Sequence, residues 1–335
     1  MKKALLCVCC LLLLAGVSAF AEGQQATGGK PVVLKLAHYA AENHPGQAAA
    51  LMFKEGVEKR TGGKVLVEVY PNNKLGDPPS VLEQNIRGVI DMSLPTQGQL
   101  QKYSPKFGCV MTPFAFDDYA HADRVLDGPF LKWAGPDLEK AGLIFLSNWE
   151  WGMRNLTNSK REIKTPDDVK GLKIRTPPEY QNQAAMEALG ATVATISFAD
   201  LTVALKQGTV DGQENPVAVI YSNKLYETQK YMSLTGHTYN SMVHVMSKKT
   251  WDKLPASVQQ IIREESQKAG NYMRKVLRDS EAQDILKLEG LGMTVTKVNK
   301  ALFQAKMGPA YETVKSHVGA ANFDAFMQMV KDERQ

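Results

Sequence analysis

The chain has 335 residues, 40 basic against 35 acidic, giving a formal net charge of +5 with histidine neutral. The charges are interspersed and form no basic tract, which argues against nucleic acid and anionic membrane surfaces as partners. A chain of this length can bury a large core without covalent staples and has room for two α/β lobes.

The first elements concern targeting. Lys2 and Lys3 precede an uncharged apolar run over residues 4–16, followed by the small-x-small site Ala19-Phe20-Ala21. This order predicts a secretory signal over residues 1–21, cleavage before Glu22 and a periplasmic mature protein. The run falls short of the roughly 20 apolar residues of a spanning helix. A lipoprotein cysteine would have to follow Leu14-Ala15-Gly16, where Val17 stands. Without the signal the balance is 38 basic to 35 acidic residues, and Cys109 is the one cysteine left, so no internal disulfide forms. Its thiol reads as a small buried hydrophobe.

Residues 22–30 form a polar, Gly-rich arm. Residues 32–37 and 65–70 read as strands, the second with Val65, Val67 and Val69 alternating, and 46–60 as the helix between them. Asp77-Pro78 opens a helix carrying Val81, Leu82 and Ile86 that stops at Gly88; residues 90–94 form the next strand. A second set begins with a strand at 143–147. Thr165-Pro166-Asp167-Asp168 opens a short turn ended by Gly171, and the strand 172–175 stops at Thr176-Pro177-Pro178. A helix over 181–189 is capped by Gly190, and Ser197-x-x-Asp200 opens another through Leu201 and Leu205. Val210-Asp211-Gly212 leads into a strand and a polar turn over 213–216. Strands separated by helices imply βαβ units and a mainly parallel sheet.

Residues 255–289 repeat apolar side chains at helical spacing with no internal proline. Unbroken, such a helix is about 50 Å long and must cross more than one lobe; the alternative is a break near Gly270. The stripe is not a strict heptad, which argues against a coiled-coil dimer, and a monomer is expected.

G-x-S-x-G, H-E-x-x-H, P-loop and G-x-G-x-x-G signatures are missing, so neither a catalytic centre nor a metal or other cofactor is expected. A periplasmic enzyme acting on organic acids is the alternative class. What remains suits an anion. Arg175 ends a strand of a parallel sheet, where ligand crevices open, and its planar fork matches a carboxylate; a structural salt bridge is the other reading. Arg154 also follows a strand, and Asn215 offers an amide, or else an Asx-turn. Trp149 and Trp151 could flank a ligand or belong to the core.

Several stretches, in order, resemble the DctP-type periplasmic solute-binding proteins of tripartite ATP-independent periplasmic (TRAP) transporters. They include His44-Pro45, Pro71-Asn72-x-x-Leu75-Gly76, Trp149-Glu150-x-Gly152-x-Arg154, Lys170-Gly171-Leu172-Lys173-Ile174-Arg175 and Val210-Asp211-Gly212-Gln213-Glu214-Asn215-Pro216. The resemblance implies an α/β two-lobe flytrap with a long helix spanning both lobes. It places lobe I at 32–151 plus 239–280 and lobe II at 152–238 plus 281–335, with hinges near 149–152 and 238–240. It implies a small carboxylate ligand and membrane permease subunits as partners. Arg175 would be the main carboxylate clamp, Arg154 the second basic contact and Asn215 the supporting amide. Phe198 would pack on the ligand body, with Thr96 and His38 facing the cleft. Many relatives carry Asn where Trp151 stands; with Arg-Thr-Pro-Pro-Glu after the clamp, this points to a sugar acid such as glucuronate or galacturonate. A C4-dicarboxylate is the runner-up.

Overall fold

Strand β1 (Val32–Ala37) buries Leu34 and Leu36 and leaves Val32 and Val33 exposed; strand β2 (Val65–Tyr70) buries Val65 and Val67. The two pair in parallel from Val32↔Val65 to Ala37↔Tyr70. Their crossover is the helix Pro45–Arg60, which buries Ala49, Ala50, Phe53 and Val57 on the sheet and begins where His44 Nδ1 accepts the Gly46 N–H at 3.0 Å. The next helix, Pro78–Arg87, ends at Gly88 with φ +78°, a conformation that suits glycine. Strand β3 is shorter than the sequence suggests, only Met92–Ser93. The computed structural model describes residues 30–334, so the signal segment 1–21, its cleavage site and nearly all of the arm 22–30 lie outside the described residues.

The molecule is organised by two long strands, β4 (Leu143–Asn158) and β8 (Tyr231–Ser247), paired antiparallel from Leu143↔Ser247 to Asn158↔Tyr231. The remaining strands are β5 (Lys173–Thr176), β6 (Thr192–Thr195), β7 (Gly212–Pro216) and β9 (Thr294–Lys297). The order is β2-β1-β3-β8-β4-β7-β5-β6, with β9 on β8. β3, β1 and β2 therefore lie on one side of the central β8–β4 pair and β7, β5 and β6 on the other. The sheet is mixed rather than mainly parallel, because β4 and β8 are antiparallel to each other and to β7 and β3, although β9 joins β8 in parallel.

The polar stretch 213–216 is a strand, not a turn. It is fully buried, pairing antiparallel with β4 through Asn155↔Asn215 and parallel with β5 through Arg175↔Gln213. Its polar side chains find partners inside the protein, which removes the penalty that made a solvent-exposed turn the simpler expectation.

The helix Ala256–Gly290 is one 35-residue element, unbroken at Gly270. Ile262, Ala269, Met273 and Leu277 join the core of Leu36, Phe53, Trp149 and Trp151, whereas Leu288 joins that of Leu201, Val210 and Met232. It thus spans both lobes. A Cβ on Gly270 would lie 2.6 Å from the Asn148 carbonyl oxygen, so glycine is what lets the helix lie directly on β4. There β4 bulges between Glu150 and Gly152, and Gly152 (φ +118°) sits opposite Asn240. The C-terminal helices Gly308–Val318 and Ala320–Asp332 bury Val314, Val318, Phe326 and Val330 with Phe107 and Phe130. Cys109 is buried in the same cluster, with its thiol pushed up to about 12 by burial. Among the described residues no helix is long and apolar enough to cross a membrane.

Candidate functional site

The carboxyl ends of β1, β5 and β6, together with β4 and β7, converge on a cavity of about 460 Å³, including the part open to solvent. Open α/β sheets bind ligands at such strand ends. Six of the seven residues chosen from the sequence line it: Thr96, Trp151, Arg154, Arg175, Phe198 and Asn215. His38 does not. It lines a neighbouring cavity with Asn73, Leu75 and Ser93, and its Nε2 is 2.8 Å from Gln47 Oε1. Adjacent residues of an extended segment point to opposite sides, so Tyr39 takes the place expected of His38.

The two arginines have different partners. Arg154 is almost fully committed. Its Nε and Nη2 donate to the Glu214 carboxylate (Nη2–Oε1 2.8 Å), Nη2 also donates to the Glu214 carbonyl oxygen at 2.6 Å, and Nη1 to Asn240 Oδ1 at 2.6 Å. Burial alone would raise the Glu214 carboxyl, but the Arg154 charge, with hydrogen bonds from His237 and Arg154, holds it below the ordinary range. Arg175 is equally buried, yet among the described residues only Nε is engaged, donating to the Ile196 carbonyl oxygen at 2.8 Å, and Nη2 has no partner. Burial and then the Arg154 charge push its guanidinium down to about 10, so it stays protonated at neutral pH. A buried, charged fork with an uncommitted edge is suited to holding a carboxylate.

Around it stands an aromatic wall. The Trp151 ring lies 4.8 Å from Tyr39 and 6.2 Å from Phe198, and His44 backs it at 4.7 Å. The Tyr39 hydroxyl is buried without a partner among the described residues. Asn215 donates to Gln213 Oε1 at 2.5 Å while lining the cavity. Trp149, the other tryptophan considered, is core: its Nε1 donates to the Ser266 carbonyl oxygen at 3.1 Å.

The sequence reading missed Tyr39, Glu179 and Glu214. Glu179 lines the cavity, accepts the Thr96 hydroxyl at 3.0 Å through Oε1, and leaves Oε2 without a partner. Burial, helped by the Glu214 charge, raises its carboxyl, against the pull of Arg154 and the Thr96 bond. A signal for it existed, since it closes the Arg-Thr-Pro-Pro-Glu run only four residues after Arg175. Among the described residues no cluster of His, Cys, Asp or Glu is placed to hold a metal ion.

Residues 36–317 match the DctP family, described as bacterial extracellular solute-binding protein, family 7. The chain is 33% identical over 298 residues, 89% of its length and 90% of the relative's, to the 2,3-diketo-L-gulonate-binding periplasmic protein YiaO of Escherichia coli. Among solved structures it resembles the sugar acid binding protein DctPAm of Advenella mimigardefordensis in complex with galactonate. There the TM-score is 0.87 at 30% identity, covering 91% of this chain and 99% of that one. A TRAP periplasmic solute-binding protein from Polaromonas bound to D-erythronate gives a TM-score of 0.84 at 34% identity, covering 88% and 98%.

Proposed function

Because this chain belongs to the DctP family of solute-binding proteins, the transport components that bind small acids for TRAP permeases, we propose that its cleft captures a sugar acid. The observation that carries this reading is Arg175, a buried cation with an open edge facing a wall of Trp151, Tyr39 and Phe198. The guanidinium takes the ligand carboxylate, the aromatic rings take the carbon-bearing faces of the sugar, and Asn215 and the Tyr39 hydroxyl take oxygens. Arg154, braced and neutralised by Glu214, adds one remaining N–H. A uronate or an aldonate fits this set. The named ligands of the relatives above, galactonate, erythronate and diketogulonate, are of the same chemical kind. A C4-dicarboxylate is the second reading, favoured by two guanidinium groups close enough for Arg154 to depress Arg175.

Capture proceeds by lobe closure. Lobe I comprises residues 32–151 plus 239–280 and lobe II residues 152–238 plus 281–335, although the C-terminal helices of lobe II also pack on lobe I through Phe326 and Val330. The hinge lies where the β4 bulge at Gly152 faces Asn240. Thr96 to Glu179, and Gln181 Nε2 to Gln101 Oε1 (2.9 Å) and to the Gly108 carbonyl oxygen (2.7 Å), are among the bonds that join the lobes and latch the cleft. A ligand favours closure only through contacts it makes better in the closed form. The mature protein, a monomer released by cleavage before Glu22, then presents the closed form to its permease.

A melting-temperature screen tests this. Galacturonate, glucuronate and galactonate should each stabilise the protein, by about 2.7 kcal/mol at one hundred times Kd. Small-angle scattering of the same samples should show a smaller radius of gyration. Stabilisation by succinate and malate alone would overturn the sugar-acid assignment in favour of the dicarboxylate.

A further inference from the structure

The cavity is lined by two arginines and one glutamate, Glu179, with Glu214 paired to Arg154 outside the lining, and this pairing decides how much negative charge a ligand can bring. Arg154 and Glu214 satisfy each other. Arg175 is left as one cation to be answered by one anion. Glu179 is the remaining charge-bearing group. It is 1% exposed, is held through Oε1 by Thr96, and makes no ion pair among the described residues. Its position is built into the wall. A Cβ on Gly98 would sit 2.7 Å from Glu179 Oε2, so the absence of a side chain at 98 leaves the space that the carboxyl occupies.

We propose that Glu179 is the specificity-determining residue of the cleft: it accepts a hydrogen bond from a ligand hydroxyl and repels a second carboxylate, so the site takes hydroxylated monocarboxylates and rejects the corresponding diacids. This rests on the sugar-acid reading and deepens it. A hydroxyl near Glu179 supplies the donor that the carboxyl lacks. A carboxylate there supplies no donor and adds a like charge in a buried site, where screening by water is weak. Rejection by a placed repulsive group is a general route to specificity. The cross-lobe bond from Thr96 also means that the carboxyl takes up its position as the lobes meet.

The test uses galactonate and galactarate, which share a six-carbon skeleton and differ in a terminal hydroxymethyl against a carboxylate. Titration calorimetry on the wild-type protein should show galactonate bound at least about 100-fold more tightly, a floor below the roughly 10,000-fold by which a site built to hydrogen-bond a hydroxyl can reject an analogue lacking it. Glu179→Gln should bring the ratio within about tenfold, chiefly by tightening galactarate, because the amide donates to a carboxylate where the acid repels it. Glu179→Ala provides a second variant should the glutamine protein not fold, and thermal melts of the ligand-free proteins report folding. Equal wild-type affinity for the two probes, or an unchanged ratio in a folded variant, overturns the proposal while leaving the sugar-acid reading intact. Tighter wild-type binding of an amino acid than of galactonate would reassign Glu179 to an ammonium group and also overturn it. Failure of the wild-type protein to bind galactonate, galacturonate and glucuronate removes both.

Discussion

Replacing Arg175 by methionine should separate binding from stability in opposite directions. Burial and the Arg154 charge lower the guanidinium from 12.5 to about 10. At about 1.4 kcal/mol per unit, that is on the order of 3 kcal/mol acting against the folded, ligand-free protein. A depressed base destabilises at every pH below its folded value, so the whole effect is present at neutral pH. Methionine removes the charge and keeps much of the volume, but leaves the Ile196 carbonyl oxygen without its donor, a loss of about 1 kcal/mol. The balance is a gain of about 2 kcal/mol. For a domain of this size that raises the melting temperature by roughly 3 °C. Galacturonate or galactonate binding should meanwhile weaken by about 2–5 kcal/mol, since the ligand carboxylate is buried unpaired, or roughly 30- to 4,000-fold in Kd. Arg175→Lys should recover little, because an ammonium lacks the planar fork. Calorimetric titration and differential scanning calorimetry on the same preparations give both numbers. A drop of several degrees in the ligand-free melting temperature, or an affinity within about threefold of wild type, would show Arg175 to be a structural ion-pair residue and not the clamp.

Arg154→Met should do the reverse, lowering ligand-free stability by about 3–5 kcal/mol because Glu214 is left buried and unpaired; Arg154→Met with Glu214→Gln should recover part of that in urea unfolding, and a single variant as stable as wild type would refute the pairing argument. Buried His38, His44 and His244 are lowered by desolvation from 6.5 to about 4, 3 and 3. Their contribution to stability is therefore fully present above the unfolded value of 6.5 and is lost as pH falls below it, at up to about 1.4 kcal/mol per unit for each. The raised carboxyls of Glu150, Glu179 and Glu281 oppose this as they take up protons. The direct measurement is NMR of the three imidazole C2–H signals, which should stay neutral at about pH 5 in the folded protein; titration of any of them near its ordinary value contradicts the burial assigned to it.

The division between what was legible and what was not follows the range of the interactions. Alternating valines, proline and glycine punctuation and a proline-free helical stripe act over a few residues, so the strands Val32–Ala37 and Val65–Tyr70 and the helix Ala256–Gly290 could be read with bounds close to those observed. The same local logic led to a turn at 213–216, because a run of polar residues before a proline ordinarily seeks water; only pairing with β4 and β5 makes it a buried strand. Of the strand Tyr231–Ser247 only a crossing near 238–240 was read from sequence, and the helices Gly308–Val318 and Ala320–Asp332 were not identified. Much of each is buried against elements remote in the chain, so its pattern carries no simple period of its own.

For the site, local signals were enough to point to an anion as the ligand. Arg175 stands at a strand end, a second arginine and an amide stand nearby in the same family motifs, and no nucleophile–base signature accompanies them. Which arginine is free was decided by tertiary structure. Arg154 and Glu214 are 60 residues apart in sequence, and Thr96 and Glu179 are 83 apart. Charge in a buried cleft is settled by such pairs, because removal from water makes each ion's partner matter more than its identity. Two arginines that look alike in one dimension thus become a braced strut and an open clamp once the chain has brought Glu214 to only one of them.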